Sequence, residues 1–229
     1  MKELSLVIPF YNEEKNLSAF LLDLARVLAS GRVDYEIVAV DNGSRDGTGK
    51  LLAAFASKNR RIRVITVNDN LGYGFGIIQG LKAARGKYVG YCWGDGQITA
   101  ADTLRVFDTL KKSGVDICKI KRVSRQDSFF RKAESLAYNL LYNLIFSLNL
   151  RDINGCPKIM RREVLASLNP VSHDWFIDPE LMIKAFRKKF KVLEVPVTYH
   201  RREKGKSHVR LTTAFEFIRN AVRFKLKGY

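Results

Sequence analysis

The sequence predicts an α/β fold with a mostly parallel sheet flanked by helices, and three observations support this class. Short apolar runs of β-type residues alternate with segments in which apolar residues recur at helical spacing. The apolar runs stop abruptly in polar turn residues, as in LSLVIPFYN and EIVAVDNGSRDGT. No internal repeat or low-complexity linker interrupts the alternation. The β-α-β-α order implies right-handed crossovers between parallel strands.

Each element follows from its local pattern. Apolar β-type runs predict five strands, at residues 4–9, 35–40, 62–67, 88–92 and 115–119. Helical spacing predicts helices between them, at residues 14–30, 48–59, 74–84 and 102–113. We therefore expect one domain over residues 1–208.

A long helix is predicted over residues 129–150. Its polar residues Ser135, Asn139, Asn143 and Ser147 fall four apart in one narrow stripe, and nearly every other position is apolar. A helix with so wide an apolar face must bury it in protein or in lipid. We expect it to pack against the domain.

A second amphipathic helix is predicted at the C-terminus, within an extension of residues 209–229. Its polar face carries Glu216, Arg219, Arg223 and Lys227, opposite Phe215, Ile218, Ala221 and Val222. Basic amphipathic helices bind anionic membrane surfaces, but they also serve as surface helices or partner-binding elements.

Composition and charge limit the class of protein. Three widely spaced cysteines without metal-site or CxxC spacing fit a reduced, cytoplasmic setting. We expect no signal peptide and no membrane span, because no apolar run is long enough. The formal net charge is +17, and residues 116–229 hold 24 basic but only 11 acidic residues. Such a balance favours a polyanion: nucleic acid, an anionic membrane or a phosphorylated substrate.

Three acidic residues follow predicted strands and point to a ligand at one sheet edge. Glu13, Asp41 and Asp95 each lie just after an apolar run, and open α/β sheets bind ligands at the carboxyl ends of their strands. Asp41 is suited to accept hydrogen bonds from a base or ribose, although a plain turn and helix cap explains it too. Asp95, between two glycines, is suited to hold a divalent cation that bridges phosphates.

The glycine-rich segment 70–76 also precedes a helix. Its glycines would let the backbone approach a phosphate at the helix N-terminus. The segment does not match the GxGxxG pattern of dinucleotide-binding proteins, and this mismatch disfavours a hydride-transfer enzyme. The chain also lacks a P-loop, a GxSxG elbow and zinc-spaced histidines.

At this point the motifs carry a resemblance. IPFYNEEKNL, VDNGSRDGT, NLGYGFGIIQGLKAARG and the WGDGQ turn resemble family 2 glycosyltransferases of the GT-A (nucleotide-diphospho-sugar transferase) fold. DINGCPKIMRREVL, FIDPELMIKAF and EVPVTYHRREKGKSH are similar to the polyprenyl-phosphate glycosyltransferases of the dolichol-phosphate mannosyltransferase type. The match runs over about residues 4–207, and the joint order and spacing of the motifs make it specific.

The resemblance implies a role for each matching residue. The nucleotide would be lined by Pro9, Tyr11, Glu13 and Asp41. Mg²⁺ or Mn²⁺ and the donor diphosphate would be bound by Asp95 and Gln97. The acceptor phosphate would be met by Arg122, Arg131, Ser135, Arg202 and Ser207. Arg202, Gly205 and Ser207 match the RxxGxS loop of the family, which lies near the phosphates. Catalysis would then depend on Asp95, Arg122, Arg131 and Arg202.

The chain also departs from the family pattern. Trp93 stands where the family usually has the first Asp of its DxD segment. This departure predicts weaker metal binding, a metal held by Asp95 and the donor phosphates, or a different donor sugar. Lys158, in INGCPK, replaces an Arg-type position and is expected to supply a cation there. His208 stands where Lys often follows the Ser.

The chemistry fits the basic second half. A lipid phosphate is already ionised at neutral pH, so its attack on the anomeric carbon needs no strong base. The displacement should invert that carbon, with cations stabilising the departing diphosphate. The candidate cations of the second half are Arg122, Arg125, Arg131, Lys158, Arg161, Arg202 and Lys206.

The leading hypothesis is therefore an inverting glycosyltransferase that moves a sugar from GDP-mannose or a UDP-hexose to a polyprenyl phosphate. We expect it to be peripheral on the cytoplasmic face of an anionic membrane, with a separate membrane-anchoring protein as a possible partner. One alternative acceptor is the hydroxyl of a sugar or glycolipid, which would need a base such as Asp178 or Glu180. A catalytically inactive nucleotide-sugar-binding or polyanion-binding protein is a second alternative. The acidic strand ends argue against a nucleic-acid-binding protein.

Overall fold

The computed structural model describes residues 1–125, 129–200 and 212–227, without the side chains of residues 124–134, 212–218 and 227. These residues form one sheet of seven strands: β1 (Leu4–Phe10), β2 (Tyr35–Asn42), β3 (Ile62–Val67), β4 (Tyr88–Tyr91), β5 (Ile117–Arg125), β6 (Lys158–Arg161) and β7 (Val192–Tyr199). The helices are α1 (Leu17–Ser30), α2 (Thr48–Lys58), α3 (Tyr73–Ala83), α4 (Ala100–Ser113), α5 (Phe129–Phe146), α6 (Arg162–Leu168), α7 (Ile177–Arg187) and α8 (Thr212–Lys227).

The sheet order is β3-β2-β1-β4-β6-β5-β7. Only β6 runs against its neighbours, β4 and β5, and every other pair is parallel. The predicted mostly parallel sheet is thereby confirmed. Since β6 alone is reversed, the carboxyl ends of the other six strands lie at one edge.

The core lies between this sheet and its helices. Every residue of β2 is buried, and α1 buries a stripe of leucines at helical spacing: Leu17, Leu21, Leu24 and Leu28. On α3, Gly80 permits close contact with the sheet, because a Cβ atom there would lie 2.3 Å from Cγ1 of Val7. At the N-terminus of α3, Asn42 Nδ2 at the end of β2 donates to the Gly72 carbonyl at 3.0 Å, so this helix end lies close to the end of β2.

The predicted elements of the first half are confirmed, with boundaries shifted by a few residues. The sequence patterns missed β6, α6, α7 and β7. Strand β6 has only four residues and begins and ends in basic ones, so it shows no apolar run. Strand β7 alternates buried and exposed residues over its second half, which is weaker evidence than the continuous runs of the buried parallel strands.

The long helix α5 is oriented differently from our expectation. Its polar stripe faces the protein: Asn139 Oδ1 accepts from the Ile153 N–H at 2.8 Å, and Asn143 Nδ2 donates to the Leu150 carbonyl at 2.7 Å. Tyr142 is buried on the same side. The leucines of the opposite face, Leu136, Leu140 and Leu144, are 72%, 67% and 80% exposed. The expectation that the apolar face packs against the domain is thus wrong for this leucine stripe.

Helix α8 packs on the domain through its described apolar residues. Ala221 and Phe224 are buried, and the Phe224 ring lies 5.3 Å from that of Phe176. Val222, expected on the same apolar face, is half exposed, and Arg219 and Arg223 are exposed. Among the described helices, none combines the length and the hydropathy that a membrane crossing requires.

Candidate active site

The strand ends of β1 and β2 bring two predicted acidic residues to one edge. Phe10 pairs with Asp41 in the β1–β2 register. Asp41 is buried, and its Oδ1 accepts from the Ser44 N–H at 3.0 Å. Its Oδ2 lies against Gly49 in the first turn of α2, where a Cβ atom would come within 2.4 Å of it. The carboxylate is therefore held in one position at the mouth of the β2 turn.

Glu13 lies beside this turn. Its backbone N–H donates to Thr48 Oγ1 at 2.9 Å, and its Oε2 accepts from Asn16 Nδ2 at 2.8 Å. Pro9 and Tyr11, which the resemblance places around the nucleotide, lie at the same end of β1. The bond from Glu13 to Thr48 joins the loop after β1 to the first residue of α2, next to the β2 turn.

The turn after β4 carries Asp95 and Gln97. Asp95 Oδ1 accepts from the Gln97 N–H at 3.1 Å. The Gln97 side chain is tied to the end of β7: its Nε2 donates to the His200 carbonyl at 3.0 Å, and its Oε1 accepts from the Tyr199 hydroxyl at 2.8 Å. Gln97 therefore links the Asp95 turn to β7, a function that its expected place as a metal ligand did not suggest.

Arg122, near the end of β5, is enclosed on several sides. Its Nε and Nη2 donate to the two carboxylate oxygens of Asp152 at 2.7 and 2.6 Å. The rings of Trp93 and Tyr199 lie 5.4 and 5.3 Å from its guanidinium carbon. Burial disfavours the charged guanidinium, but attraction to Asp152 and the hydrogen bonds between them outweigh burial and raise the pKa of Arg122 above its usual value. Arg122 is thus a permanent cation whose side chain is almost fully buried.

Beneath this pair, polar residues form a row across four adjacent strands. The register places Tyr91, Lys158, Lys119 and Glu194 side by side. Lys119 is fully buried, and its ammonium donates to the Ile120 and Asp152 carbonyls and lies 3.2 Å from Glu194 Oε1. Glu194 also accepts from the Asp152 N–H at 3.0 Å. The row therefore supports the loop that holds Arg122.

Several of these residues escaped the sequence reasoning. Asp152 begins the DINGC motif, and Lys119 interrupts the apolar run of β5. A lysine inside a buried strand needs an acidic partner. Lys119 was therefore the residue from which a buried ion pair could have been predicted. Lys158, expected to supply a cation to the ligands, is fully buried and paired with Asp178, which also accepts from the Tyr91 hydroxyl at 2.7 Å.

The two candidate bases lie on α7. Asp178 is engaged by Lys158 and Tyr91 as described. The fully buried Glu180 accepts from the Val171 and Ser172 N–H groups, at 2.9 and 2.8 Å, and pairs with Lys184. The loop that follows α6 is thereby anchored to α7.

Two sequence interpretations find no support in the packing. The glycines of segment 70–76 admit another part of the chain: a Cβ atom at Gly74 would lie 2.2 Å from the Ser172 carbonyl oxygen, and the Phe75 N–H donates to the His173 carbonyl. Arg161 pairs with Tyr88 at the opposite end of β4 and forms an ion pair with Asp116 at 3.0 Å. It is too far along the strand to meet ligands at the carboxyl edge.

Other predicted residues are placed only in part. Ser135 lies half-buried on α5, and its carbonyl accepts from Asn139 Nδ2 at 2.7 Å. Arg131 lies on α5 and Arg125 lies on β5, and the side chains of both are outside the described part of the structure. Arg202, Gly205, Lys206, Ser207 and His208 lie outside the described residues.

The donor set for a metal is small. Within the described ranges, no three His, Cys, Asp or Glu residues lie close enough to hold an ion. Among the described side chains of the turn after β4, Asp95 offers a carboxylate, whereas Trp93 carries no ligand atom and Gln97 is bonded to β7. One carboxylate together with substrate phosphates is still a set that Mg²⁺ accepts, so the residues fit a cation that arrives with the donor.

Comparison with known proteins agrees with this geometry. The family model of Glycosyl transferase family 2 matches residues 5–168. The chain is 28% identical to a dolichyl-phosphate beta-glucosyltransferase of Trichomonas vaginalis, over 97% of this chain and 74% of that protein. It is 30% identical to an undecaprenyl-phosphate 4-deoxy-4-formamido-L-arabinose transferase of Photorhabdus laumondii, over 90% of this chain and 63% of that protein. The chain thus spans roughly two thirds of the length of such relatives.

A solved structure shows the fold. Glucosyl-3-phosphoglycerate synthase from Mycobacterium tuberculosis, in complex with Mn²⁺, UDP and phosphoglyceric acid, superimposes with a TM-score of 0.73 at 22% identity, over 96% of this chain and 76% of that one. The predicted GT-A fold is confirmed.

Proposed function

Since the chain belongs to glycosyl transferase family 2, we propose that it moves a sugar from a nucleotide-sugar donor to a polyprenyl phosphate. Relatives named for dolichyl- and undecaprenyl-phosphate transfer support this acceptor class. The candidate donors are GDP-mannose and the UDP-hexoses.

One observation carries the proposal: the helix that supports the loop of a buried cation site also presents an exposed apolar surface. Asn139 of α5 binds the Ile153 N–H, directly after the Asp152 that holds Arg122. The opposite face of α5 presents Leu136, Leu140 and Leu144 to the outside. A polyprenyl phosphate has matching chemistry, because its charged head needs a guanidinium and its tail needs an apolar surface.

The donor would lie along the β1, β2 and β4 ends. Asp41 would accept from the base or ribose, with Pro9, Tyr11 and Glu13 around it. Asp95 would hold Mg²⁺ or Mn²⁺ together with the diphosphate, and such an ion supplies Lewis-acid stabilisation of the leaving group when bound. Gln97 would keep the turn in place through its bonds to β7.

The acceptor phosphate would meet Arg122, which remains charged at any physiological pH and would also face the departing diphosphate. Arg131, Ser135, Arg202 and Ser207 are proposed to complete its surroundings. The ionised phosphate oxygen attacks the anomeric carbon as the bond to the diphosphate breaks, so one displacement inverts that carbon. No base is required, which accords with the engagement of Asp178 and Glu180 in structural bonds.

Attachment to the membrane follows from the same surface. We propose that residues 1–208 form the catalytic domain, and that α8 and the leucine stripe of α5 contact the cytoplasmic face of an anionic membrane. Arg219 and Arg223 are exposed on α8 and would face lipid phosphates. A separate anchoring protein is a proposed partner.

Incubation of the purified protein with sugar nucleotides, a polyprenyl phosphate and Mg²⁺ or Mn²⁺ tests the proposal. We expect a glycosylated lipid phosphate with one donor. Asp95→Asn should abolish most turnover while the thermal unfolding midpoint stays unchanged. Transfer to a sugar or glycolipid hydroxyl, with none to the lipid phosphate, would overturn the acceptor assignment.

A further inference from the structure

We infer that Trp93 is a positioning residue: it fixes the Arg122 guanidinium as a cation beside the donor diphosphate, in a place where a second carboxylate would instead recruit metal. The inference rests on the proposed function and specifies which residue supplies positive charge to the diphosphate. The expected consequence is a site that binds the donor nucleotide with less dependence on divalent metal.

The first support is the enclosure of the guanidinium. The Trp93 and Tyr199 rings meet edge to face, with centroids 6.1 Å apart and planes at 77°, and both lie within 5.4 Å of the guanidinium carbon of Arg122. Asp152 engages Nε and Nη2 of the same group. Two rings and a bidentate carboxylate leave the guanidinium little freedom to turn. Lysine could not satisfy this arrangement, because an ammonium has neither the planar face nor the fork.

The second support is the connection to the turn assigned to the diphosphate. Trp93 precedes Asp95 by two residues, and Gln97 of the same turn accepts from the Tyr199 hydroxyl at 2.8 Å. Both rings that enclose Arg122 are therefore attached to the Asp95 turn, one through the chain and one through a hydrogen bond. A diphosphate at Asp95 would lie beside this cation.

The third support is the charge balance. An aspartate at position 93 would place a second anion next to Arg122 and compete with Asp152 for it. Trp93 adds no charge, and its ring face attracts the guanidinium. Compared with an aspartate at this position, Trp93 therefore offers no metal ligand and preserves a cation that the diphosphate would meet.

Calorimetric titration with UDP and GDP, each in EDTA and in Mn²⁺, tests the inference on three variants. Trp93→Asp should weaken binding of the preferred nucleotide about tenfold in EDTA. The same variant should bind Mn²⁺ more tightly than the wild type does when that nucleotide is present. Trp93→Phe keeps a ring and should resemble the wild type in both. Trp93→Leu removes the ring without adding charge, so it should weaken metal-free binding and leave Mn²⁺ binding unchanged.

The outcomes separate this inference from the proposed function. Unchanged metal-free binding in both Trp93→Asp and Trp93→Leu, with folded proteins by circular dichroism, would overturn the inference and leave the transferase proposal standing. A wild-type protein that binds no nucleotide under either condition would overturn both. If Trp93→Asp does not fold, the comparison of Trp93→Leu with Trp93→Phe decides the question alone.

Discussion

The carboxylate of Asp152 holds the guanidinium of Arg122 through two hydrogen bonds of 2.7 and 2.6 Å, and a third bond joins it to the Arg122 backbone N–H at 2.9 Å. Both side chains are almost fully buried, at 10% and 7% exposure. The pair fixes the end of β5 to the loop that follows α5. Its removal should therefore affect the stability of the whole protein as well as the site.

Asp152→Asn should lower the free energy of unfolding by about 3–5 kcal/mol, because it leaves a buried guanidinium without its counter-charge. Urea denaturation measures the change. The matched control is Asp23→Asn, which breaks the exposed pair with Arg26 and should cost less than about 1 kcal/mol. Equal losses in the two variants would contradict the assigned importance of the buried pair.

The same pair should make stability fall in acid. Desolvation alone would raise the pKa of Asp152, but attraction to Arg122 and its hydrogen bonds lower that pKa well below the usual range. The stabilisation that the ionised Asp152 contributes is complete above the pKa of an aspartate in the unfolded chain, which is about 3.9. It is lost progressively as the pH falls below that value, since the unfolded chain binds the proton first. Urea midpoints between pH 7 and pH 3 should fall more steeply in the wild type than in Asp152→Asn, and parallel curves would refute this assignment.

Leu140→Glu should reduce sedimentation with anionic vesicles roughly tenfold, because it places a charge on the leucine stripe that we propose to enter the lipid. The fold should be unaffected, since the side chain is exposed. Leu22→Glu on α1 is the control, because Leu22 is similarly exposed, at 61% against 67%, but lies on another helix. If both variants bind vesicles as the wild type does, the stripe is not a membrane contact.

Gly74→Ala should destabilise the protein by about 1–3 kcal/mol, because the new methyl would meet the Ser172 carbonyl oxygen at 2.2 Å and the Asp174 carbonyl oxygen at 2.7 Å. Thermal unfolding detects the loss. Lys82→Ala, exposed on the same helix, should change stability by less than about 0.5 kcal/mol. Unchanged stability in Gly74→Ala together with lost nucleotide binding would instead support the phosphate-binding interpretation of these glycines.

The sequence predicted the parts of the fold that depend on local pattern. Apolar runs of β-type residues identified β1 to β4 and the first residues of β5, and the acidic residues after these strands predicted a ligand edge that includes Asp41 and Asp95. Elements with short or polar patterns, such as β6, were missed. Strand β6 is buried between β4 and β5, and Lys158 can lie there because it pairs with Asp178, so the strand shows no apolar run in the sequence.

What the sequence determined by itself is therefore the α/β order, the acidic strand ends and the family, since each follows from residues close together in the chain. Only the tertiary structure decided the partners of those residues. Trp93, Arg122, Asp152 and Tyr199 come from four separate segments, and Lys158 is turned to Asp178 instead of a ligand. It also turned the polar stripe of α5 inward and its leucines outward. The physical reason is that a buried charge or amide takes whichever partner the packing places beside it, and spacing along the chain does not encode that choice.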